Sequence, residues 1–167
     1  MTADELLKVV SERLNIEGLA FEGRQVAGIT VNGMDVDLER DEYEMWLYVH
    51  GEVVKNALSL PKEKLVSLLK DHHLFNDVPN ASFGISRDDA LELFMRVPLM
   101  YGLTPDDWMA MFISFLVSLR DWRAKFGVGG DAEPEQDGQN GGESVSPQEE
   151  STPVGEMPFG FSGAIRV

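Results

Sequence analysis

The opening residues have the spacing of an amphipathic helix. Thr2 and Glu5 match a capping box, in which the two side chains satisfy backbone N–H groups at the start of a helix. Apolar residues then recur three and four positions apart, as on one face of a helix, at Leu6, Leu7, Val10 and Leu14. This pattern predicts a first helix that ends near Asn15.

Between residues 27 and 50, apolar residues alternate with polar ones, which is typical of strands with one buried face. Asn32-Gly33 is a strong signal for a two-residue hairpin between the first two strands. The pattern predicts an antiparallel meander. Its expected inward-facing residues are Ala27, Ile29 and Val31, then Met34, Val36 and Leu38, then Met45, Leu47 and Val49.

The rest of the first 127 residues indicates two more helices and two more strands. Pro61 marks the start of the second helix, and alternation predicts strands at residues 83–85 and 91–96. Thr104-Pro105 starts a last helix that runs to about Phe126 and stops at Gly127. The order α-β-β-β-α-β-β-α predicts an α+β fold, with helices against an antiparallel sheet.

The last helix is apolar around nearly its whole circumference. Its main stripe is Trp108, Met111, Phe112, Phe115, Leu119 and Trp122, and other sides carry Met109, Ile113, Leu116 and Val117. A helix of this kind is buried on more than one side. We expect part of it to be buried against a second copy of the chain. The alternative is a central helix within the protein's own core.

Composition separates the C-terminal segment from the rest. Residues 128–167 contain eight of the 29 acidic residues, half of the 16 glycines and one basic residue, Arg166. We therefore predict a folded domain over residues 1–127 and a disordered acidic linker over residues 128–156. Apolar character returns in residues 157–167, which we interpret as a short docking motif. Its candidate contact residues are Phe159, Phe161, Ile165 and Val167.

Charge and composition exclude several function classes. A net charge of −15 argues against binding to nucleic acid or to anionic membranes. The chain has no cysteine, which excludes disulfides, thiolate nucleophiles and Cys-based zinc sites. No apolar run reaches the roughly 20 residues that span a bilayer, and the N-terminus lacks the features of a signal peptide. We expect a soluble, cytoplasmic protein.

The sequence contains no convincing catalytic or ligand-binding motif. His72 and His73 are adjacent, so on a helix they point about 100° apart and do not form a metal pair. Asp35 and Asp37 read as the solvated side of an amphipathic strand. We therefore predict no metal site, no cofactor and no enzymatic activity.

Several segments, taken in order, resemble the class I type III secretion chaperones, the Tir-chaperone (CesT-like) family of small acidic dimers from bacterial pathogens. Residues 19–23 look like the family's L-x-F-D/E strand entry, and the Pro61 helix looks like its second helix. Residues 91–103 look like its last strand and crossing loop, and residues 115–123 like its closing helix. The resemblance covers about residues 1–126.

The resemblance implies a cytoplasmic bacterial chaperone that forms a homodimer and binds the N-terminal segment of a secreted effector in extended form. Such a segment adds a strand beside the sheet and inserts apolar side chains into surface grooves. The candidate effector-binding residues are Leu6, Val10, Leu14, Phe21, Ile29, Val31, Trp46 and Tyr48. The candidate dimer residues are Phe83, Ile85, Leu93, Phe94, Trp108 and Phe112.

Trp46 and Tyr48 stand out in this set because alternation places them on the polar side of their strand. Either they bind a partner or a helix covers that face. The terminal motif at residues 157–167 either returns to its own domain or recruits a secretion ATPase or sorting component. Two other functions remain as alternatives: a chaperone-like adaptor for another secretion-system protein, and an enzyme with a spatially assembled carboxylate site.

Overall fold

Helices and strands follow one another in the predicted order α-β-β-β-α-β-β-α, and a sixth strand follows near the C-terminus. The computed structural model describes residues 1–73, 80–99, 102–128 and 163–166. The helices are α1 (Ala3–Leu14), α2 (Lys62–Asp71) and α3 (Pro105–Lys125), with a short 3₁₀ turn at Ala57–Ser59. The strands are β1 (Val26–Val31), β2 (Met34–Arg40), β3 (Trp46–Val54), β4 (Ala81–Ile85), β5 (Leu91–Pro98) and β6 (Gly163–Arg166).

The strands form one antiparallel sheet in the order β4-β5-β3-β2-β1-β6. Hairpins connect β1 to β2, β2 to β3 and β4 to β5, whereas α2 lies in the connection that carries the chain from β3 to β4. The predicted α+β class and antiparallel sheet are confirmed.

The helix ends follow from local sequence chemistry. The Thr2 backbone N–H donates to Glu5 Oε2 at 2.8 Å, and the Glu5 N–H donates to Thr2 Oγ1 at 3.2 Å, so the predicted capping box is present. Asn15 ends α1 in the left-handed conformation. The Thr104 hydroxyl oxygen accepts the N–H of Asp107 at the start of α3.

The β1–β2 hairpin has the predicted turn, since Asn32 and Gly33 have φ values of 50° and 73°. The prediction for Met45 was wrong. We placed its side chain on the buried face, but it is 42% exposed. β3 begins one residue later, at Trp46, and Met45 lies in the preceding turn, where its N–H donates to Asp41 Oδ1 at 2.7 Å.

The core lies between the helices and one face of the sheet. Helix α3 packs against β3 so closely that a Cβ atom on Gly51 would lie 2.6 Å from Leu119 Cδ2. Helix α1 is joined to α3 by the indole of Trp108, whose Nε1 donates to the carbonyl oxygen of Leu6 at 3.0 Å. Helix α2 reaches the end of α3, where Lys64 Nζ lies 5.4 Å from the centroid of the Phe126 ring.

The predicted linker and terminal motif lie mostly outside the described residues. Phe159, Phe161 and Val167 fall there, as does most of the predicted linker over residues 128–156. Ile165 belongs to β6, which pairs with β1. Part of the terminal segment therefore returns to the domain that precedes it.

Candidate functional site

The face of the sheet opposite α3 carries a row of partly exposed aromatic and charged side chains. Its members, called here the open face, are Trp46, Tyr48, His50, Phe94 and Arg96. The alternation of β3 places the first three on this side, because Leu47, Val49 and Gly51 are buried on the other. Strand pairing sets Tyr48 opposite Arg96 and His50 opposite Phe94.

A cation–π contact organises one end of the open face. The Arg96 guanidinium carbon lies 3.5 Å from the centroid of the Trp46 ring. At an exposed position such a contact contributes about 0.5–1 kcal/mol. The guanidinium stacks on one face of the indole and places a positive charge next to a partly exposed aromatic side chain.

Carboxylates surround the other end of the open face. His50 Nε2 lies 3.9 Å from Glu39 Oε2, and His50 Nδ1 lies 3.7 Å from Glu92 Oε2. An adjoining groove of about 280 Å³ is lined by acidic residues together with Lys55 and Arg123. Its acidic residues are Asp35, Asp37, Glu52 and Glu92. This arrangement gives the groove negative character and favours a positively charged segment over an anionic one.

The described residues contain no group of three or more His, Asp or Glu side chains that could hold a metal ion. Within those same ranges, no polar or charged side chain is fully buried. In the described part of the chain no helix is both long and apolar enough to cross a membrane.

Most of the residues predicted to bind an effector lie in the core. Their exposed fractions are at most 9%, and they are Leu6, Val10, Leu14, Phe21, Ile29 and Val31. Trp46 and Tyr48 differ from them, because both lie on the open face and are partly exposed. Helix α3 packs against the other face of β3, so it does not cover this pair.

The residues predicted for the dimer interface also divide into two groups. Leu93, Trp108 and Phe112 are 0% exposed in the single chain, so its own core already supplies the burial that we expected from a second copy. Phe83 is half-buried against Trp122, with ring centroids 4.8 Å apart. Ile85 is 50% exposed, and Phe94 lies on the open face.

Exposed apolar side chains also occur on α2, on β4 and in the 3₁₀ turn. They are Leu58, Val66, Leu69 and Ile85, called here the α2–β4 patch, and only Ile85 was named as a candidate contact from the sequence. Val66 and Leu69 line one shallow depression on α2, and Leu58 and Leu69 are 76% and 67% exposed. Asp89 Oδ1 accepts the N–H of Leu58 at 2.9 Å, which ties the 3₁₀ turn to the β4–β5 hairpin. Leu65, Leu68 and Leu69 have the spacing of one helix face, yet of these three Leu68 alone is fully buried.

This fold, with helices against one face of an antiparallel sheet, is that of solved type III secretion chaperones. The chain is similar to the Yersinia pestis type III secretion chaperone SycH in complex with a stable fragment of YscM2. The TM-score is 0.56 at 18% identity, over 74% of this chain and 98% of that chain.

The chain is also similar to two further solved structures. The HopA1–SchA chaperone–effector complex matches with a TM-score of 0.56 at 19% identity, over 72% of this chain and 91% of that chain. The ExsC–ExsE complex matches with a TM-score of 0.58 at 17% identity, over 72% of this chain and 90% of that chain. No protein-family model and no curated protein sequence matches the chain.

Proposed function

We propose that this protein is a type III secretion chaperone that dimerises and binds the N-terminal segment of an effector in extended form. The observation that carries the proposal is the shared fold, since one matching structure is a chaperone–effector complex and another a chaperone with a bound fragment. The resemblance of residues 1–126 to the class I chaperones points the same way. The protein acts by binding, without catalysis.

The open face suits an extended, non-native segment. Trp46 and Tyr48 offer flat aromatic surface for apolar side chains, and aromatic residues of this kind dominate the energy of many interfaces. The acidic groove beside His50 complements basic residues of the same segment. The apolar side chains that would contact Trp46 and Tyr48 are buried in a folded protein, so an unfolded segment presents them more readily.

Dimerisation is assigned to the α2–β4 patch and the adjoining strand. Exposed leucine and isoleucine side chains grouped in this way mark interaction surfaces in soluble proteins. β4 pairs with β5 alone within the described residues, so it also presents unpaired backbone groups. The two surfaces differ, which allows the dimer to form without covering the open face.

Native affinity purification from the source bacterium, followed by mass spectrometry of bound proteins, tests this function. The partner should be a secreted protein, and its isolated N-terminal segment should bind the purified chain. Binding that instead requires a folded domain of the partner contradicts the proposal. A partner that is a structural or regulatory component of the secretion system would indicate the adaptor role.

A further inference from the structure

β6 lies along the outer side of β1. The two strands are antiparallel, and the register sets Arg166 opposite Gly28, Ile165 opposite Ile29 and Ala164 opposite Thr30. β1 pairs with β2 on its other side, so without β6 it would end the sheet. The chain thus places one of its own segments on what would otherwise be an edge strand.

An edge strand presents a row of backbone N–H and C=O groups that any extended segment can pair with. β1 is a well-supported template for such pairing, because Ile29 and Val31 are 0% exposed and anchor it to the core. At the other end of the sheet, β4 is shorter, and its Ile85 is 50% exposed. Of the two outer edges of the five-stranded part of the sheet, β1 is therefore the longer and the better anchored to the core.

We propose that the β1 edge is a docking site for an extended cargo segment and that β6 is its internal occupant, which cargo must displace. This inference rests on the proposed chaperone function and adds its regulation. The register also describes the cargo. A competing strand should place a small residue opposite Thr30, an apolar residue opposite Ile29 and a basic residue opposite Gly28.

The basic position has a specific electrostatic reason. Gly28 belongs to β1. It is opposite Arg166 of β6 on one side and opposite Asp37 of β2 on the other. Asp37 also lines the acidic groove, so this register position lies two strands away from a carboxylate of that groove. A strand that carries a basic residue here should gain from the negative charge of the groove.

Covalent attachment gives β6 an advantage over any strand in solution. A tethered segment competes at a high effective concentration, which lowers the apparent affinity of an external strand. Weak or mismatched segments are then excluded, and after cargo leaves, β6 covers the edge again. Between rounds of binding the longer β1 edge is then replaced by the four-residue edge of β6.

An engineered disulfide tests the pairing directly, because the chain contains no cysteine. Thr30→Cys with Ala164→Cys joins residues directly opposite in register, where Cβ atoms lie about 4.5–5.5 Å apart. We expect a rapidly formed disulfide within one chain, as read by non-reducing electrophoresis and mass spectrometry. Thr30→Cys with Ile165→Cys is the control out of register, and it should oxidise at least about tenfold more slowly. Equal rates, or a disulfide mainly between chains, would overturn the internal occupancy.

Competition is measured with a fluorescent peptide of residues 157–167 added in trans. The full-length variant Ala164→Pro with Ile165→Pro has a disabled β6, since proline removes ladder hydrogen bonds. It should bind the peptide at least about tenfold more tightly than the oxidised Thr30→Cys/Ala164→Cys variant does. Equal affinity in the two variants, or no binding by either, contradicts a docking site at β1.

The two proposals fail in different ways. If the co-purified cargo binds the reduced and oxidised Thr30→Cys/Ala164→Cys variants equally, cargo does not use the β1 edge and this inference falls while the chaperone function stands. Loss of cargo binding on oxidation, restored by reductant, supports it. If no secreted protein co-purifies, the proposed function fails, and the disulfide and peptide results still decide whether β6 occupies β1.

Discussion

The guanidinium carbon of Arg96 lies 3.5 Å from the centroid of the Trp46 ring, although the two residues belong to different strands and are not directly opposite. Arg96 pairs with Tyr48, so its side chain crosses diagonally to reach the indole. The contact fixes both side chains on a face where α3 does not cover them. A preorganised aromatic surface binds a flexible segment with a smaller entropic penalty than a mobile one does.

Replacing Trp46 and Tyr48 together with alanine should weaken effector binding by at least about 30-fold, because truncated hot-spot aromatics cost about 2 kcal/mol or more. The free energy of unfolding should fall by only about 1–2 kcal/mol, since both side chains are only partly buried and Trp46 also loses its cation–π pair with Arg96. Isothermal titration with the identified effector segment and urea unfolding give the two quantities.

Tyr43→Ala with Met45→Ala is the matched control for this pair. It also removes two large, exposed side chains, but they lie in the turn before β3. Effector binding should remain within about twofold of the parent value. If Trp46→Ala with Tyr48→Ala instead lowers stability by about 3 kcal/mol or more, the pair belongs to the core and its binding role is refuted.

The dimer prediction concerns the α2–β4 patch. In light scattering at micromolar concentration, the parent protein should have twice the mass of the 18.6 kDa chain. Leu69→Glu with Ile85→Glu should shift it to the monomer mass, because each substitution buries an unpaired charge in the interface. Both side chains are accessible in the single chain, so the monomer should keep its helical circular dichroism.

Two further variants separate dimer contacts from core packing. Tyr43→Glu places a charge on a side chain that is 78% exposed at the β2–β3 turn, and it should leave the mass unchanged. Phe112→Asp should unfold the chain, since Phe112 is 0% exposed within it. A parent protein that is monomeric at all concentrations would contradict dimerisation.

Local sequence signals predicted most of the fold. The capping box at Thr2, the Asn32-Gly33 turn and the Thr104-Pro105 helix start act through neighbouring residues, so spacing alone reveals them. The surroundings of α3 depend on contacts between distant residues. Trp108 bonds to Leu6, 102 positions away in the sequence, and periodicity carries no information on whether such a helix meets its own chain or another.

Only part of the candidate site could be predicted, because exposure also depends on contacts between distant residues. Alternation correctly separated Trp46 and Tyr48 from the buried side of β3. It could not show that Leu6 and Val10 are poorer candidates for effector binding than this pair, although both are buried. An apolar residue has the same sequence pattern in a core as in a binding groove. Val66 and Leu69 were missed because their exposure depends on how α2 lies against the sheet.

The packing of α3 on β3 gives a stability prediction. A methyl group at Gly51 would meet Leu119 Cδ2 at 2.6 Å and the Asp35 carbonyl oxygen at 3.1 Å. Gly51→Ala should therefore lower the free energy of unfolding by about 1–3 kcal/mol. In a Leu119→Val background the loss should be smaller by at least about 0.5 kcal/mol, because the shorter side chain withdraws from the added methyl group.

Urea unfolding of the four proteins in this double-mutant cycle gives the coupling energy. Gly102→Ala serves as the control, since a Cβ atom there would have nothing within 4 Å. It should change stability by less than about 0.5 kcal/mol. Strict additivity of Gly51→Ala and Leu119→Val would show that the Leu119 side chain is not what resists the added methyl.

Deletion of residues 129–167 should leave the domain folded and dimeric but slow the release or secretion of cargo. Helix α3 ends at Lys125, and Val128 is retained because its N–H donates to the Arg123 carbonyl oxygen at 2.8 Å. Without β6 to cover β1 again, bound cargo should dissociate more slowly. Displacement of a labelled effector segment and secretion assays in the source organism measure this. The full-length Ala164→Pro/Ile165→Pro variant should behave in the same way, which assigns the effect to β6 rather than to chain length. Secretion by both variants at the parental rate would show that the terminal segment has no part in release.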